Sequence, residues 1–257
     1  IKTDIAVNGN VFHVTAIAPN AFSGATQLTS ILISGNIETI GLEAFYRCYS
    51  LTSLSIPESV KSIENEEDEP FFAKLDLHSI AVEQGNTVYA SENGILYDKQ
   101  KKTLLHCPTL YANPIRIPST VTTIRPYAFA WCEGITTLTF PEGVTTVGEC
   151  ALNGCESLTS LYIPASIRKI DLLADDSDNA LSALKQIHCA QADPSLIALA
   201  PGVFDYIDCS ACTLYVPKGA KSKYATAPEW KRFTTIIEEG DEEELPENIP
   251  TVGIGMN

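Results

Sequence analysis

The chain repeats itself every 23 residues, and that period decides most of what it can become. Pro118, Pro141 and Pro164 fall 23 apart, as do Ile124, Val147 and Ile170. The earlier pairs Ile17/Ile40, Phe22/Phe45 and Ser34/Pro57 keep the same spacing of 23. Two successive units read VTTIRPYAFAWCEGITTLTFPEG (121–143) and VTTVGECALNGCESLTSLYIPAS (144–166); an earlier one reads IETIGLEAFYRCYSLTSLSIPES (37–59). A fixed period in the twenties marks a solenoid, in which each unit buries its apolar face only against its neighbours. Such a chain is chiefly a scaffold for binding, which weighs against an enzyme.

Each unit carries two apolar stretches. The first reads L-x-x-L-x-I-P, as in Leu51, Leu54, Ile56 and Pro57. Its period of two predicts a strand with one buried face, and Pro ends that strand because it has no N–H to give to a ladder. The second reads V-x-x-I-x-x-x-A-F-x-x-C, as in Val121, Ile124, Ala128, Phe129 and Cys132. Its spacing predicts a short turn or 3₁₀ piece that inserts an aromatic into the core. Parallel strands then stack rung on rung at roughly 4.8 Å.

Two units are interrupted. In 60–83, Ile63 keeps phase but the Phe45 position moves to Phe71, an insertion of three residues in the acidic run Glu64–Glu69. In 167–190, Ile170 keeps phase and three extra residues lie around Asp175–Asp178. Both bulges are expected on one side of the solenoid. They read as solvated charge runs; calcium would need six to eight oxygens, and neither run has the D-x-D-x-D-G order. Segment 84–120 is longer than a unit. Gly85–Gly94 is rich in turn formers, and 95–97 with 103–105 reads as a hairpin. The last unit ends in Thr213-Leu-Tyr-Val-Pro-Lys-Gly219. Ala220–Phe233 then predicts a helical cap, within a capping segment 213–237, with Trp230 and Phe233 as its plug. The repeat domain is read as 1–237, and 238–257 as a flexible acidic tail whose composition does not pack.

Charge excludes some partners. The net charge is −15, and residues 238–257 supply −7 of it, so nucleic acid and anionic membranes are poor partners. No apolar run approaches the ~18 residues of a membrane helix, so this segment is not expected to insert into a membrane. The chain opens on Ile1 rather than Met, which reads as a trimmed precursor with no legible signal peptide.

The unit pattern, together with Asn93-Gly-Ile-Leu-Tyr97, Leu104-Leu-His-Cys-Pro108, and Leu214-Tyr-Val-Pro-Lys-Gly219 followed by Tyr224 and Trp230, resembles the BspA-like leucine-rich repeat proteins. These are surface and secreted proteins of Bacteroidetes, treponemes and some mucosal protozoa. The resemblance covers most of 11–237 and departs from the pattern at Leu152, which stands where Phe is usual. It implies a right-handed leucine-rich-repeat solenoid, a β-rich superhelix with a parallel strand ladder. It also implies a location at the cell surface or in the medium, and adhesion to host matrix proteins or other bacteria.

The eight cysteines sort by phase. Cys48, Cys132 and Cys155 follow A-F-x-x, while Cys107 and Cys189 take the buried position of Ile56; all five read as core thiols. Cys150 shares the phase of Glu43 and Tyr127 and reads as a surface residue. Cys209-Ser-Ala-Cys212 lacks the βαβ context or second pair that a redox or zinc motif needs; it reads as a local disulfide or as two unpaired thiols. The histidines are scattered, and His106 and His188 each precede a Cys that points to the opposite strand face. No metal site, cofactor or catalytic motif is expected.

Two outward columns run along the strand face. One reads Leu32, Ser55, Ala81, His106, Arg116, Thr139, Tyr162, His188, Tyr215; the other reads Ser30, Ser53, Ser79, Leu104, Pro114, Thr137, Ser160, Gln186, Thr213. Arg and Tyr are enriched at binding hot spots. The candidate site is therefore Arg116, Thr139, Tyr162, His188 and Tyr215, with Gln186 beside them. An ordinary solvated face accounts for the same residues, since β-propensity favours Thr and Tyr. The function expected is a non-enzymatic, monomeric adhesion or protein-interaction module that binds a host matrix or bacterial surface protein. The alternative is a glycan-binding protein of a surface nutrient-uptake system, with Tyr162 and Tyr215 stacked on sugar rings.

Overall fold

The computed structural model describes residues 4–239, apart from 9, 34, 66–71, 73–74, 112–113, 172 and 175–180. The chain enters through an antiparallel hairpin of β1 (Asp4–Val7) and β2 (Asn10–His13), which the period does not foretell. Two kinds of strand then alternate. Two-residue strands β3 (Ala16–Ile17), β4 (Thr39–Ile40) and β6 (Ser62–Ile63) form one parallel sheet. Four-residue strands β5 (Ser53–Ile56) and β7 (Ser79–Val82) form another. The pairings Ile17↔Ile40↔Ile63 reproduce the 23-residue register rung by rung.

Between the two halves of the repeat lies a meander of β8 (Tyr89–Glu92), β9 (Ile95–Asp98) and β10 (Thr103–His106). Its β9–β10 hairpin agrees with the sequence reading. Strand β8, in a run that reads as turn formers, does not. Asn86 pins the entry: its Nδ2 donates to Pro57 O and Val60 O at 2.8 and 2.9 Å, and its Oδ1 accepts from Val88 N and Tyr89 N at 2.9 and 2.7 Å. A fully buried amide with both donors and its acceptor engaged carries no desolvation penalty for an unmade bond.

The second half repeats the alternation with β11 (Thr123–Ile124), β12 (Thr137–Thr139), β13 (Thr146–Val147), β14 (Ser160–Ile163), β15 (Lys169–Ile170), β16 (Gln186–Cys189), β17 (Ala198–Leu199), β18 (Thr213–Pro217) and β19 (Thr235–Glu239). Strands β17-β15-β13-β11-β10-β9-β8 make a seven-stranded sheet, and β12-β14-β16-β18-β19 a five-stranded one whose strands are all parallel. The second apolar stretch of each unit thus opens on a two-residue strand and continues as a turn, where the sequence reading has a turn or 3₁₀ piece alone. In that turn Asn20, Glu43, Tyr127 and Cys150, at one phase, take φ of 57°, 52°, 56° and 49°. Such left-handed conformations cost non-glycine residues of order 1–3 kcal/mol and persist only where the surroundings enforce them.

The core falls into two clusters. Ile17 to Ile80, joined by Tyr89 and Leu96, form the first; Ile95, Tyr97 and the residues onward to Ile236 form the second. Alternation along β9 explains the division, since successive side chains point to opposite faces. The inward column Leu138, Leu161, Ile187, Leu214 is at most 1% exposed.

Ala220–Phe233 is not a helix. It holds one α-helical turn, α1 (Lys221–Tyr224), and a 3₁₀ turn at Trp230–Arg232. Pro228 explains the break: it has no N–H and disfavours a helical residue before it, and Glu229 follows at φ 60°. Trp230 and Phe233 are buried in the second core. Trp230 packs on Phe204 at 4.9 Å and on Tyr224 at 5.1 Å, and Phe233 meets Phe204 edge-on at 5.0 Å. The chain then returns as β19, which runs to Glu239, two residues into the stretch the sequence assigns to the tail.

The Phe71 position and nearly all of both acidic bulges lie outside the described residues. Of the first run, Glu64 is described and accepts a hydrogen bond from Leu42 N at 3.3 Å. All eight cysteines are buried thiols outside any disulfide. Cys150 is among them at 2% exposure, against its reading as a surface residue.

Candidate protein-interaction face

Five outward residues are brought into one row by the parallel register Thr139↔Tyr162↔His188↔Tyr215↔Ile237. A second row, Thr137↔Ser160↔Gln186↔Thr213↔Thr235, runs beside it. Four of the six sequence candidates therefore adjoin rung by rung, and Gln186 lies next to them, where its Oε1 accepts from Ser160 Oγ at 3.2 Å. Arg116 is exposed but stands outside this sheet, which begins at β12.

The centre of the row is an aromatic stack. The His188 ring lies 4.2 Å from Tyr162, tilted by 14°, and 4.4 Å from Tyr215, tilted by 4°. These separations sit just under the spacing of neighbouring strands, so the three rings stand on the sheet side by side and cover one another's faces. His188 Nε2 is buried and makes no hydrogen bond to a described residue. Glu239, from the last strand, reaches back across β18 to pair with His188 Nδ1. His188 keeps 15% of its side-chain area exposed and Glu239 keeps 29%. Beside the stack, Ile237 is 43% exposed.

Ile237 and Glu239 are missing from the sequence candidates. A signal for them exists: Thr213/Thr235 and Leu214/Ile236 repeat at a spacing of 22. The acidic residues that follow conceal it.

Two members of the outward columns are not outward. Leu104 is fully buried and His106 is 1% exposed. The reason is topological: β10 joins β11 in the sheet of short strands, not the sheet that carries the face. His106 packs edge-on against Phe72 at 5.7 Å. Burial, helped by the charge of Arg125, pushes its pKa down to about 3, so it stays neutral. Burial likewise pushes the Cys132 and Cys155 thiols well above their ordinary range, which leaves them protonated and poor nucleophiles.

Among the described residues no cluster of three or more His, Cys, Asp and Glu is placed to hold a metal. No described helix is long and apolar enough to cross a membrane.

A stacked parallel solenoid with a regular outward row defines a repeat protein of the interaction-module class. The chain belongs to the BspA-type leucine-rich repeat family: its residues 7–93 and 105–214 match that repeat region in six copies. Among solved structures it resembles the pneumococcal vaccine antigen PcpA, at 18% identity and a TM-score of 0.53 over 93% of this chain and 88% of that one. A leucine-rich repeat protein from Eubacterium ventriosum is also similar, at 20% identity and a TM-score of 0.46 over 79% of this chain and 70% of that one. So is a leucine-rich cell surface protein from Faecalibacterium prausnitzii, at 16% identity and a TM-score of 0.44 over 94% and 87%. No curated protein matches the sequence.

Proposed function

We propose that the chain is a non-enzymatic adhesion module, displayed at a cell surface or secreted, that docks a protein partner on the five-stranded face. Membership of a repeat family of interaction modules supports the class, and a surface protein among the structural neighbours is in keeping with the location. The observation that carries the reading is the Tyr162–His188–Tyr215 stack. Three rings held by each other and by the rungs beneath lose little freedom on binding, so docking on them is cheap in entropy. Five rungs at ~4.8 Å give a row about 19 Å long, which suits an extended peptide or one edge of a folded domain.

The stack also bears on the glycan alternative. A sugar ring packs on an aromatic face, and here both faces of His188 and one face of each tyrosine are taken by neighbouring rings. Ring edges and hydroxyls suit peptide groups better. A panel of matrix and bacterial surface proteins, run beside a glycan array, tests the reading. A protein ligand lost in Tyr162→Ala plus Tyr215→Ala supports it. Saturable glycan binding lost in the same double variant sinks it.

A further inference from the structure

Cys209-Ser-Ala-Cys212 takes no part in the interaction face, and its two thiols share one hydrogen-bonded turn. Ala211 N and Cys212 N both donate to Asp208 O, at 3.0 and 2.9 Å. The Asp208 carboxylate tightens the turn, accepting from Ser210 N, Ser210 Oγ and Ala211 N at 3.0, 2.6 and 3.2 Å. A helical turn of this kind sets residues three apart on one face, with Cβ atoms about 5–6 Å apart. That lies a small pinch away from the roughly 3.8 Å of a disulfide. Both side chains turn inward, Cys209 at 8% exposure and Cys212 at 0%. Their hydrogen bonds are long: Cys209 Sγ is 3.9 Å from Phe204 O, and Cys212 Sγ is 4.0 Å from Thr213 O. Cys48 and Cys155 reach their carbonyls at 3.0 and 3.2 Å.

The two thiols are not equivalent. Burial raises the Cys209 pKa; the Arg232 guanidinium works against that rise, while the Asp208 and Glu229 carboxylates add to it. Burial pushes Cys212 up to about 12, with the charge of Cys209 adding to it. Cys209, at 8% exposure against 0% for Cys212, is the thiol that solvent reaches first.

We propose that Cys209 and Cys212 form a dithiol site that a small disulfide converts to an intrachain disulfide. The Cys209 thiolate attacks one sulfur of the small disulfide, whose S–S bond breaks; one small thiolate leaves and takes up a proton. Cys212 then loses its proton and attacks Cys209 Sγ in the mixed disulfide, releasing the second small thiol. Two protein thiols are oxidised, and one small disulfide is reduced to two thiols. The closed loop is very short, so the bond fixes a turn rather than stapling distant parts of the chain. The turn matters because it receives the chain on its way into β19. Thr234 N donates to Cys209 O at 3.3 Å, and Thr234 Oγ1 donates to Ser210 O at 3.2 Å. Oxidation therefore stiffens the root of the strand that carries Glu239 to His188.

The test treats the full chain with oxidised glutathione, unfolds it in iodoacetamide, and maps the labelled cysteines by mass. The expected result is six of the eight cysteines labelled, with the peptide that holds Cys209 and Cys212 unlabelled and internally bonded. Cys212→Ser should instead trap glutathione on Cys209. Should Cys212→Ser fail to fold, Cys209→Ala serves: all seven remaining cysteines should then be labelled. Eight labelled cysteines in the wild type overturn the proposal. So does a wild-type pairing elsewhere, such as Cys107 with Cys132, or an internal disulfide that persists in Cys209→Ala.

Discussion

Gly148 lies against Pro126 of the preceding unit so closely that a Cβ on Gly148 would stand 2.5 Å from Pro126 N and 2.6 Å from its Cδ. The pair recurs one core earlier, where a Cβ on Gly41 would stand 2.5 Å from Pro19 N. In both pairs the glycine follows the proline by 22 residues. Gly148→Ala must therefore push two rungs apart, and a loss of about 1–3 kcal/mol is expected, as for other overpacked sites. Gly35 has nothing within 4 Å of its would-be Cβ, and Gly35→Ala should stay within about 0.5 kcal/mol of the wild type. Urea melts of both variants check the contrast. Equal effects would mean that close rung packing does not set the requirement for glycine.

Ile56 and Leu161 are both fully buried, one in each core. Truncation to Ala should cost about 2–5 kcal/mol in either case. Val11, at 61% exposure, is a matched surface control whose truncation should cost under about 0.5 kcal/mol. Chemical denaturation followed by far-UV circular dichroism reads all three.

His106 makes stability depend on acid. Its folded pKa, near 3, lies below the ordinary 6.5, so the unfolded chain binds the proton first. Stability is then fully present above about pH 6.5 and falls as pH drops toward 3, by up to about 1.4 kcal/mol per pH unit. His106→Phe keeps a ring against Phe72 and removes the proton site. Melting temperature against pH should fall less steeply in the variant across that window. Parallel curves for variant and wild type would remove His106 from the account.

His188→Phe separates the stack from the ion pair. The ring still fits between Tyr162 and Tyr215, while Glu239 loses its partner. Amide exchange at 237–239 should speed up several-fold, since a strand end held by fewer contacts opens more readily. Exchange in β14 should stay unchanged. Protection at 237–239 that survives the substitution would show that backbone pairing with β18 is enough to hold the strand.

The sequence discloses the repeat because burial imposes it. Leu54, Leu138 and Leu161 must face inward, and their alternation is a local signal. The two-residue strands at Thr39–Ile40 and Thr123–Ile124 are too short to alternate, so only their partners in space define them. The same holds for Thr235–Glu239, whose acidic end reads as tail until β18 is seen beside it. His106 misleads for a different reason: a change of sheet at β10 reverses which side chains are inside, and nothing within the residue pattern announces that change. The row of Thr139, Tyr162, His188 and Tyr215 is legible because 23-, 26- and 27-residue steps still land on the same phase. The stacking of its rings is not, since side-chain orientation depends on neighbours across rungs.

The division of the core at β9 sets how such a chain can grow. Tyr89 and Leu96 serve one cluster, while Ile95 and Tyr97 serve the other. Duplication or loss of a 23-residue unit on one side of the meander changes the length of that side and leaves the packing of the other intact. The row of stacked rings belongs wholly to the second half. Its spacing is thus insulated from gains and losses in the first, and a lineage can lengthen its reach without redrawing the surface it presents.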